Sequence, residues 1–523
     1  MSAASALGCR ECWFLVAAVR NEASDTSLTH WRALVFVQGA FSLLFALFLL
    51  VPMAVDFFMG GEDWEGFATA FSVSAVVGSV CLHFGKSGPI GRHETVYLIC
   101  AVWTVLSILA AIPFLVSETA KLSYADALFE AVSGLTTTGA TVLYNLQAKS
   151  PGILLWRVML NFIGGLGVIA IGVLLLPCLK VVGLKDIYGV ESATARQRFK
   201  LSVFRTVLYI SCMYAMLLVL CTGAYKIAGM SAFDAICHAM STVSTGGFAN
   251  YDSSLGHFNS AAIEIVAIVF MLLSSCPFVV YLRLALEGRF RSKQFVVFVC
   301  VLVVFSLLGA VNLYSRNMLP EAEFPEVLRR SAFILVSLAT STGFSNCDYS
   351  SWGFLAVSGT ILTLCGGCSG STNSGLKMHR IVILVRGGYR YVKHMLMRTP
   401  FTVSEQSARE EALPEAGAFF FLYVFVFCIA CIIVAWSEDD LATIVTSVSS
   451  TFTNTGPGIG DVVGPHGTYA PVSATVKFVL TVLMLIGRLE LVPVFVLILS
   501  LLRGGAGRLL GIGRGAKMLD MFR

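Results

Sequence analysis

The feature that most constrains this chain recurs four times: a short, mildly apolar segment runs into a small polar residue, then Thr, then Gly. Residues 133–142 read SGLTTTGATV, 241–248 STVSTGGF, 337–344 SLATSTGF and 450–457 STFTNTGP. The segments leading into them, at 123–138, 231–245, 325–342 and 437–455, are too short to cross a bilayer, which takes about 20 apolar residues as a helix. Between them lie longer apolar runs at 33–58, 67–84, 95–117, 152–177, 203–229, 259–286, 294–315, 352–384, 415–436 and 472–502. The order span, short segment, Thr-Gly loop, span therefore repeats four times, and repetition of this kind signals internal symmetry.

With 57% hydrophobic and 13% charged residues, the chain reads as an all-α polytopic membrane protein. The net charge of +5 is spread over loops, and no basic exposed domain suggests a nucleic-acid partner. Lys and Arg concentrate in alternate loops (Lys86 and Arg92; Lys180 to Arg205; Arg283 to Lys293; Arg386 to Arg398; Arg503 to Lys517). The positive-inside rule makes these cytoplasmic, with both termini inside. The Thr-Gly loops then re-enter from the outside, where acidic residues such as Glu62, Asp63, Glu118, Glu321 and Glu438 gather and raise the local cation concentration. Residues 1–32 form a cytoplasmic segment without signal-peptide character.

The short segments begin like helices. Ser123 and Asp126, Ser231 and Asp234, and Ser437 and Asp440 have capping-box spacing, and Pro325 suits a first turn. A half-helix that enters the membrane and stops at a loop aims its negative dipole end inward and favours a cation there. Non-helical backbone at that depth is tolerated where it is buried in protein or lines a water-filled path. Glycine lets carbonyls turn toward a common axis, and a ring of carbonyls can replace the hydration shell of a dehydrated alkali cation. The candidate ring is Thr138, Gly139, Thr245, Gly246, Thr342, Gly343, Thr455 and Gly456.

The chain resembles the Trk/Ktr/HKT superfamily of potassium transporters, within it the bacterial TrkH branch, from about residue 33 to 502. The pieces that carry the resemblance are SGLTTTGAT (133–141), FDAICHAMSTVSTGGF (233–248), GGCSGSTNSGLK (366–377), NTGPGIG (454–460) and IGRLE (486–490). It implies four tandem membrane–pore-loop–membrane repeats around a pore, with two extra N-terminal transmembrane helices: about ten transmembrane and four re-entrant helices. The corresponding divisions are 33–90 for the extra helices, 91–182, 203–290, 294–398 and 412–502 for the repeats, and 503–523 for a basic cytoplasmic tail. It implies potassium uptake across a bacterial inner membrane, with preference for potassium because Gly139 stands where sodium-admitting relatives have Ser. It also implies a homodimer and a TrkA-like cytosolic regulator, which would carry any NAD or ATP/ADP. The chain itself would bind no cofactor beyond the transported K⁺.

Within 352–384 the apolar run is interrupted by CGGCSGSTNSG, which cannot hold a continuous helix well. The resemblance makes this break a gate below the filter, built from Gly366, Gly367, Gly370, Ser371, Thr372, Asn373 and Gly375, with Arg488 facing the pore. Asn373 and Ser374 stand where many relatives have glycine. Arg488 and Glu490, ionisable residues at membrane depth, could also simply pair with one another, and Lys377 reads as a cytoplasmic-end residue. Cys365 and Cys368 form a lone CxxC without a second ligand pair. His238 and His379 read as packing residues, and so does the GGLG at 164–167. No P-loop and no catalytic constellation is present, so the chain is not expected to be an enzyme. Other readings are sodium or non-selective transport, a secondary transporter for an organic solute, and an intramembrane enzyme using CGGC or His238.

Overall fold

The computed structural model describes residues 11–88, 90, 92–179, 203–290, 292–397, 412–460, 462–491 and 493–498. The N-terminal ten residues, the basic segment 180–202 and the tail after 498 lie outside them, so the expected cytoplasmic termini and the 503–523 tail are not described. All regular structure among the described residues is helical.

Two long helices come first, α1 (Glu11–Phe58) and α2 (Trp64–Phe84). They pack closely on each other: a Cβ on Gly39 would lie 2.8 Å from the Gly78 carbonyl oxygen. Asp56 and Asp63 tie the pair to residues beyond it in the chain. Asp56 accepts the Gly152 N–H at 2.8 Å, and Asp63 accepts the Glu118 N–H at 2.7 Å and the Ser150 hydroxyl at 2.7 Å.

The four repeats come next. The first is α3 (Arg92–Val116), the short α4 (Tyr124–Leu135) and α5 (Pro151–Leu179). The second is α6 (Val203–Ile227), the short α7 (Ala232–Ser244) and a bent pair, α8 (Ala261–Ser274) and α9 (Phe278–Glu287). The third is α10 (Lys293–Ser315), the short α11 (Phe324–Ala339), α12 (Gly353–Cys365) and α13 (Met378–Met397). The fourth is α14 (Ala412–Val434), the short α15 (Leu441–Phe452) and α16 (Ala474–Leu489). By length and composition, six helices among the described residues can cross a membrane alone and the bent pair makes a seventh.

Local chemistry explains the short helices. Ser123 accepts the Asp126 N–H and Ser231 the Asp234 N–H, while Pro325 occupies the first turn of α11. In the fourth, Asp440 rather than Ser437 caps the helix, accepting the N–H of Ala442 and Thr443, so the start falls three residues later than the capping-box spacing suggests.

Three of the four second helices are broken. The expected span 259–286 bends by 85° at Ser275–Pro277, because Pro277 cannot donate a helical hydrogen bond. The span 352–384 opens at Gly366, and 472–502 ends its helix at Leu489, with Glu490 at φ +62°. Only α5 runs through unbroken.

Candidate functional site

The four short helices end alike. Each is followed by a residue in the left-handed region, Thr137 (φ +54°), Thr245 (+52°), Ser341 (+50°) and Asn454 (+52°). The next N–H returns to the serine carbonyl five residues back: Thr138 to Ser133, Gly246 to Ser241, Thr342 to Ser337 and Thr455 to Ser450, all at 2.8–2.9 Å. Then comes a glycine at positive φ: Gly139 (+79°), Gly247 (+77°), Gly343 (+81°) and Gly456 (+98°). A non-glycine residue is strained there.

This corrects the alignment of the second loop. Gly246 stands where Thr138, Thr342 and Thr455 stand, and Thr245 stands where Thr137, Ser341 and Asn454 stand; Gly247 is the counterpart of Gly139. The loop's two adjacent glycines allowed either pairing. The deciding signal was in the sequence: each glycine lies six residues after a serine, from Ser133 to Gly139, Ser241 to Gly247, Ser337 to Gly343 and Ser450 to Gly456. Paired hydroxyls stiffen three loops, Thr136 with Thr138, Thr340 with Thr342 and Thr453 with Thr455, at 2.7–2.9 Å. Gly246 has no hydroxyl, and the Asn161 side chain fills the space its Cβ would take.

The loops close into a ring. A Cβ on Gly139 would meet the Gly246 carbonyl oxygen, one on Gly247 that of Thr342, one on Gly343 that of Thr455, and one on Gly456 that of Thr138. Each left-handed glycine thus rests against the middle-position carbonyl of the next loop in turn. On one side of the ring a cavity of about 310 Å³ is lined by Gly139, Gly247, Gly343 and Gly456, with Asp252 and His466 on its wall.

On the other side lies the break in the third repeat. Gly366 (φ +69°), Gly370 (+78°), Gly375 (+91°) and Lys377 (+73°) turn the backbone there. A Cβ on Gly366 would overlap the Ser374 carbonyl, and one on Gly367 the Asn373 side chain. Ser371, Thr372, Asn373 and Ser374 are buried. The loop bonds to the bases of two of the ring's loops: Thr245 donates to the Thr372 hydroxyl at 3.1 Å, and the Ser374 N–H donates to the Ser341 hydroxyl at 3.1 Å. Sideways it bonds to the bend of the second repeat. Asn373 and Ser275 exchange hydrogen bonds at 2.9 and 3.2 Å, and the Phe278 N–H donates to the Gly370 carbonyl at 2.8 Å.

Arg488, from the fourth repeat, is buried against this loop. Its guanidinium donates to the Thr372 carbonyl at 2.8 Å, to the Ser374 hydroxyl at 3.1 Å and to the Gly164 carbonyl of the first repeat at 3.5 Å. It does not pair with Glu490, which reaches Arg380 at 3.3 Å instead. Lys377 is likewise buried and donates to the Asn373 carbonyl, so it belongs to the loop and not to a cytoplasmic end. The GGLG segment supports the first loop by close packing, since a Cβ on Gly164 would overlap the Leu135 carbonyl at that loop's base.

The remaining motifs stay apart from the ring's chemistry. Cys365 and Cys368 are free thiols. Among the described residues no three His, Cys, Asp or Glu side chains converge as a metal site. His379 bonds Ser369 at 2.5 Å, and His238 bonds the Asp234 carbonyl at 2.8 Å.

Sequence reasoning passed over one charged pair beside the ring. Glu130 and Arg157 meet at 2.7 Å with relative exposures of 0% and 1%. An ionisable residue in each of two apolar segments was the available signal.

The profile of the TrkH family, described as cation transport protein, matches residues 64–505. The Trk system potassium uptake protein TrkH of Salmonella typhimurium is 34% identical over 484 residues, covering 90% of this chain and 98% of that protein. TrkI of Halomonas elongata, also a Trk system potassium uptake protein, is 30% identical over 488 residues, with 91% and 97% covered. The crystal structure of the potassium transporter TrkH from Vibrio parahaemolyticus superposes with a TM-score of 0.80 at 28% identity, covering 90% of this chain and 98% of that one.

Proposed function

The chain belongs to the TrkH family of cation transport proteins, and from that premise we propose that it takes up potassium across a bacterial cytoplasmic membrane through the four-loop ring. The observation that carries the reading is the closed ring itself: four left-handed glycines, each seated on the next loop's carbonyl. A ring held by its own backbone keeps its carbonyls in place when water is stripped from the ion. The filter is Thr138, Gly139, Gly246, Gly247, Thr342, Gly343, Thr455 and Gly456. The four helix C-termini add a favourable field for a cation. The membrane potential adds about 2.3 kcal/mol per charge per 100 mV for entry.

The 366–375 segment is the gate. It sits against the bases of the second and third loops, and the fixed positive charge of Arg488 beside it opposes a cation's passage while it stays closed. A homodimer, a TrkA-like nucleotide-binding regulator on the cytoplasmic face, and cytoplasmic termini complete the proposal. The family's transport role and the charge distribution along the sequence support them. No catalytic activity is assigned to the chain.

The test is growth rescue at low potassium in cells lacking potassium uptake, supplied with a matching regulator, together with radioactive rubidium and sodium uptake. Rubidium uptake competed by potassium and not by sodium is the expected result. Absence of any cation flux despite good membrane expression would overturn the reading and favour a solute transporter.

A further inference from the structure

The four quadrants of the ring are joined to one another differently. The second and third are joined by the Ser254 hydroxyl accepting the Ser345 N–H at 3.3 Å and the Gly256 N–H donating to the Ser345 carbonyl at 3.2 Å. The third and fourth are joined by the Ser345 hydroxyl donating to the Pro465 carbonyl at 3.1 Å. Tyr469 joins the fourth to the first, its hydroxyl donating to the Gly456 carbonyl at 3.0 Å and its N–H to the Thr141 carbonyl at 2.8 Å. The contacts at these exit segments are neutral; the ion pairs that also cross between repeats, Arg329 with Glu264 at 2.9 Å and Lys477 with Asp126 at 2.6 Å, join helices and not the residues next to the glycines.

The first and second are joined by the Arg157 guanidinium, which an ion pair within the first repeat holds in place. Arg157 Nε donates to Glu130 at 2.7 Å. The other carboxylate oxygen accepts the Val142 N–H at 2.8 Å, and Thr141 donates its hydroxyl to the same carboxylate at 3.0 Å. The guanidinium then reaches both exit segments, donating to the Thr141 hydroxyl at 3.0 Å and the Ala249 carbonyl at 3.0 Å, with its central carbon 4.2 Å from the Phe248 ring centre. Thr141 comes two residues after Gly139, and Ala249 two after Gly247. One buried pair thus holds the same point of two adjacent loops at a fixed separation.

The position is special to the first repeat. Glu130 lies three residues before Ser133; the residues three before Ser241, Ser337 and Ser450 are His238, Ile334 and Ser447. A buried carboxylate and guanidinium are costly unless every donor and acceptor is engaged, and a planar five-donor fork gives a geometry that a flexible point charge cannot.

We propose that Glu130 and Arg157 are positioning residues for ion selection: their pair fixes the spacing of the first and second filter loops, and so the size of cation the ring accepts on that side. The inference rests on the ring being the filter. Loosening the pair lets two loops draw in around a smaller ion, so sodium gains access while rubidium still passes.

The experiment compares wild type with Thr141→Val, Arg157→Lys and Glu130→Gln in potassium-uptake-deficient cells holding the regulator, reading rubidium and sodium uptake at matched membrane levels. Thr141→Val keeps shape and the ion pair while removing the hydroxyl that both charges share; Arg157→Lys keeps the charge and loses the fork. Each is expected to retain rubidium uptake while the sodium-to-rubidium ratio rises, by about tenfold for Arg157→Lys, the scale of one lost charge-assisted hydrogen bond. A wild-type ratio in both Thr141→Val and Arg157→Lys overturns the inference, whether or not Glu130→Gln reaches the membrane. Lack of rubidium uptake by wild type would overturn the proposed function, and the inference with it.

Discussion

A Cβ placed on Gly456 would lie 2.5 Å from the carbonyl oxygen of Thr138, so the last Thr-Gly loop of the chain closes onto the first. The same contact links each loop to the next. The ring therefore has no free edge, and a side chain added at any of its left-handed glycines presses on backbone.

The second loop gives the sharpest test of this geometry. Gly247→Ala adds a methyl group at φ +77° against the Thr342 carbonyl, a strain of about 1–2 kcal/mol before the contact is counted. Gly246→Ala meets the Asn161 side chain first. Uptake by the Gly246→Ala protein should recover in part when Asn161→Ala is added, whereas Gly247→Ala should lose rubidium selectivity with or without it. Recovery of both would refute the pairing of Gly247, and not Gly246, with Gly139.

Arg488 holds the 366–375 loop, the proposed gate, through the Thr372 carbonyl and the Ser374 hydroxyl. Arg488→Gln removes the charge and shortens the reach. Rubidium uptake without the regulator should rise on the order of tenfold, as expected for losing a charged hydrogen-bonded contact. Unchanged or lower uptake at equal membrane levels would show that Arg488 does not oppose conduction.

Asn373 and Ser275 bind each other across two repeats. Asn373→Gly and Ser275→Ala each remove the same latch, at roughly 1 kcal/mol. Each should raise regulator-independent uptake several-fold, and the double variant should match the singles instead of multiplying them. Multiplied effects would mean that the two residues act separately.

Asp63 predicts an acid limit to stability. Burial acts to raise its pKa, but hydrogen bonds from Thr119, Ser150 and Ser117 outweigh it and leave the group below its usual 3.8. A carboxylate depressed in the folded state contributes stability above its unfolded pKa and loses it as pH falls through the folded value. The melting temperature of detergent-purified protein should therefore drop as pH falls below 3.8, with Asp63→Asn less stable at neutral pH and flatter in acid. An identical acid slope in the variant would remove Asp63 as the cause.

What was legible in the sequence was whatever depends on period and composition. Long apolar runs marked α2, α10 and α14, and Ser-x-x-Asp spacing marked the starts of α4 and α7. The break at 365–375 was legible because glycine and small polar residues cannot sustain a helix. The bend at Ser275–Pro277 was not legible, since one proline in an apolar run is also compatible with a mild kink. The break at Glu490 has its signal in Pro493, which lacks an N–H for the Leu489 carbonyl, with Gly487 nearby; like Pro277 it is also compatible with a mild kink. The second loop's register was ambiguous because two adjacent glycines both satisfy a Thr-Gly pattern; φ separates them. Partner choice was least legible of all. Nothing local tells Arg488 to bond a loop more than a hundred residues away rather than the nearby Glu490.

The residues directly after the four ring glycines, Ala140, Phe248, Phe344 and Pro457, are of three kinds and show what it means for one chain to encode every quadrant. In a pore assembled from four copies, a codon change strikes all sides at once. Here it strikes one side and leaves three as they were. A substitution can therefore reshape one wall of the ring at a time while the other three keep their backbone contacts.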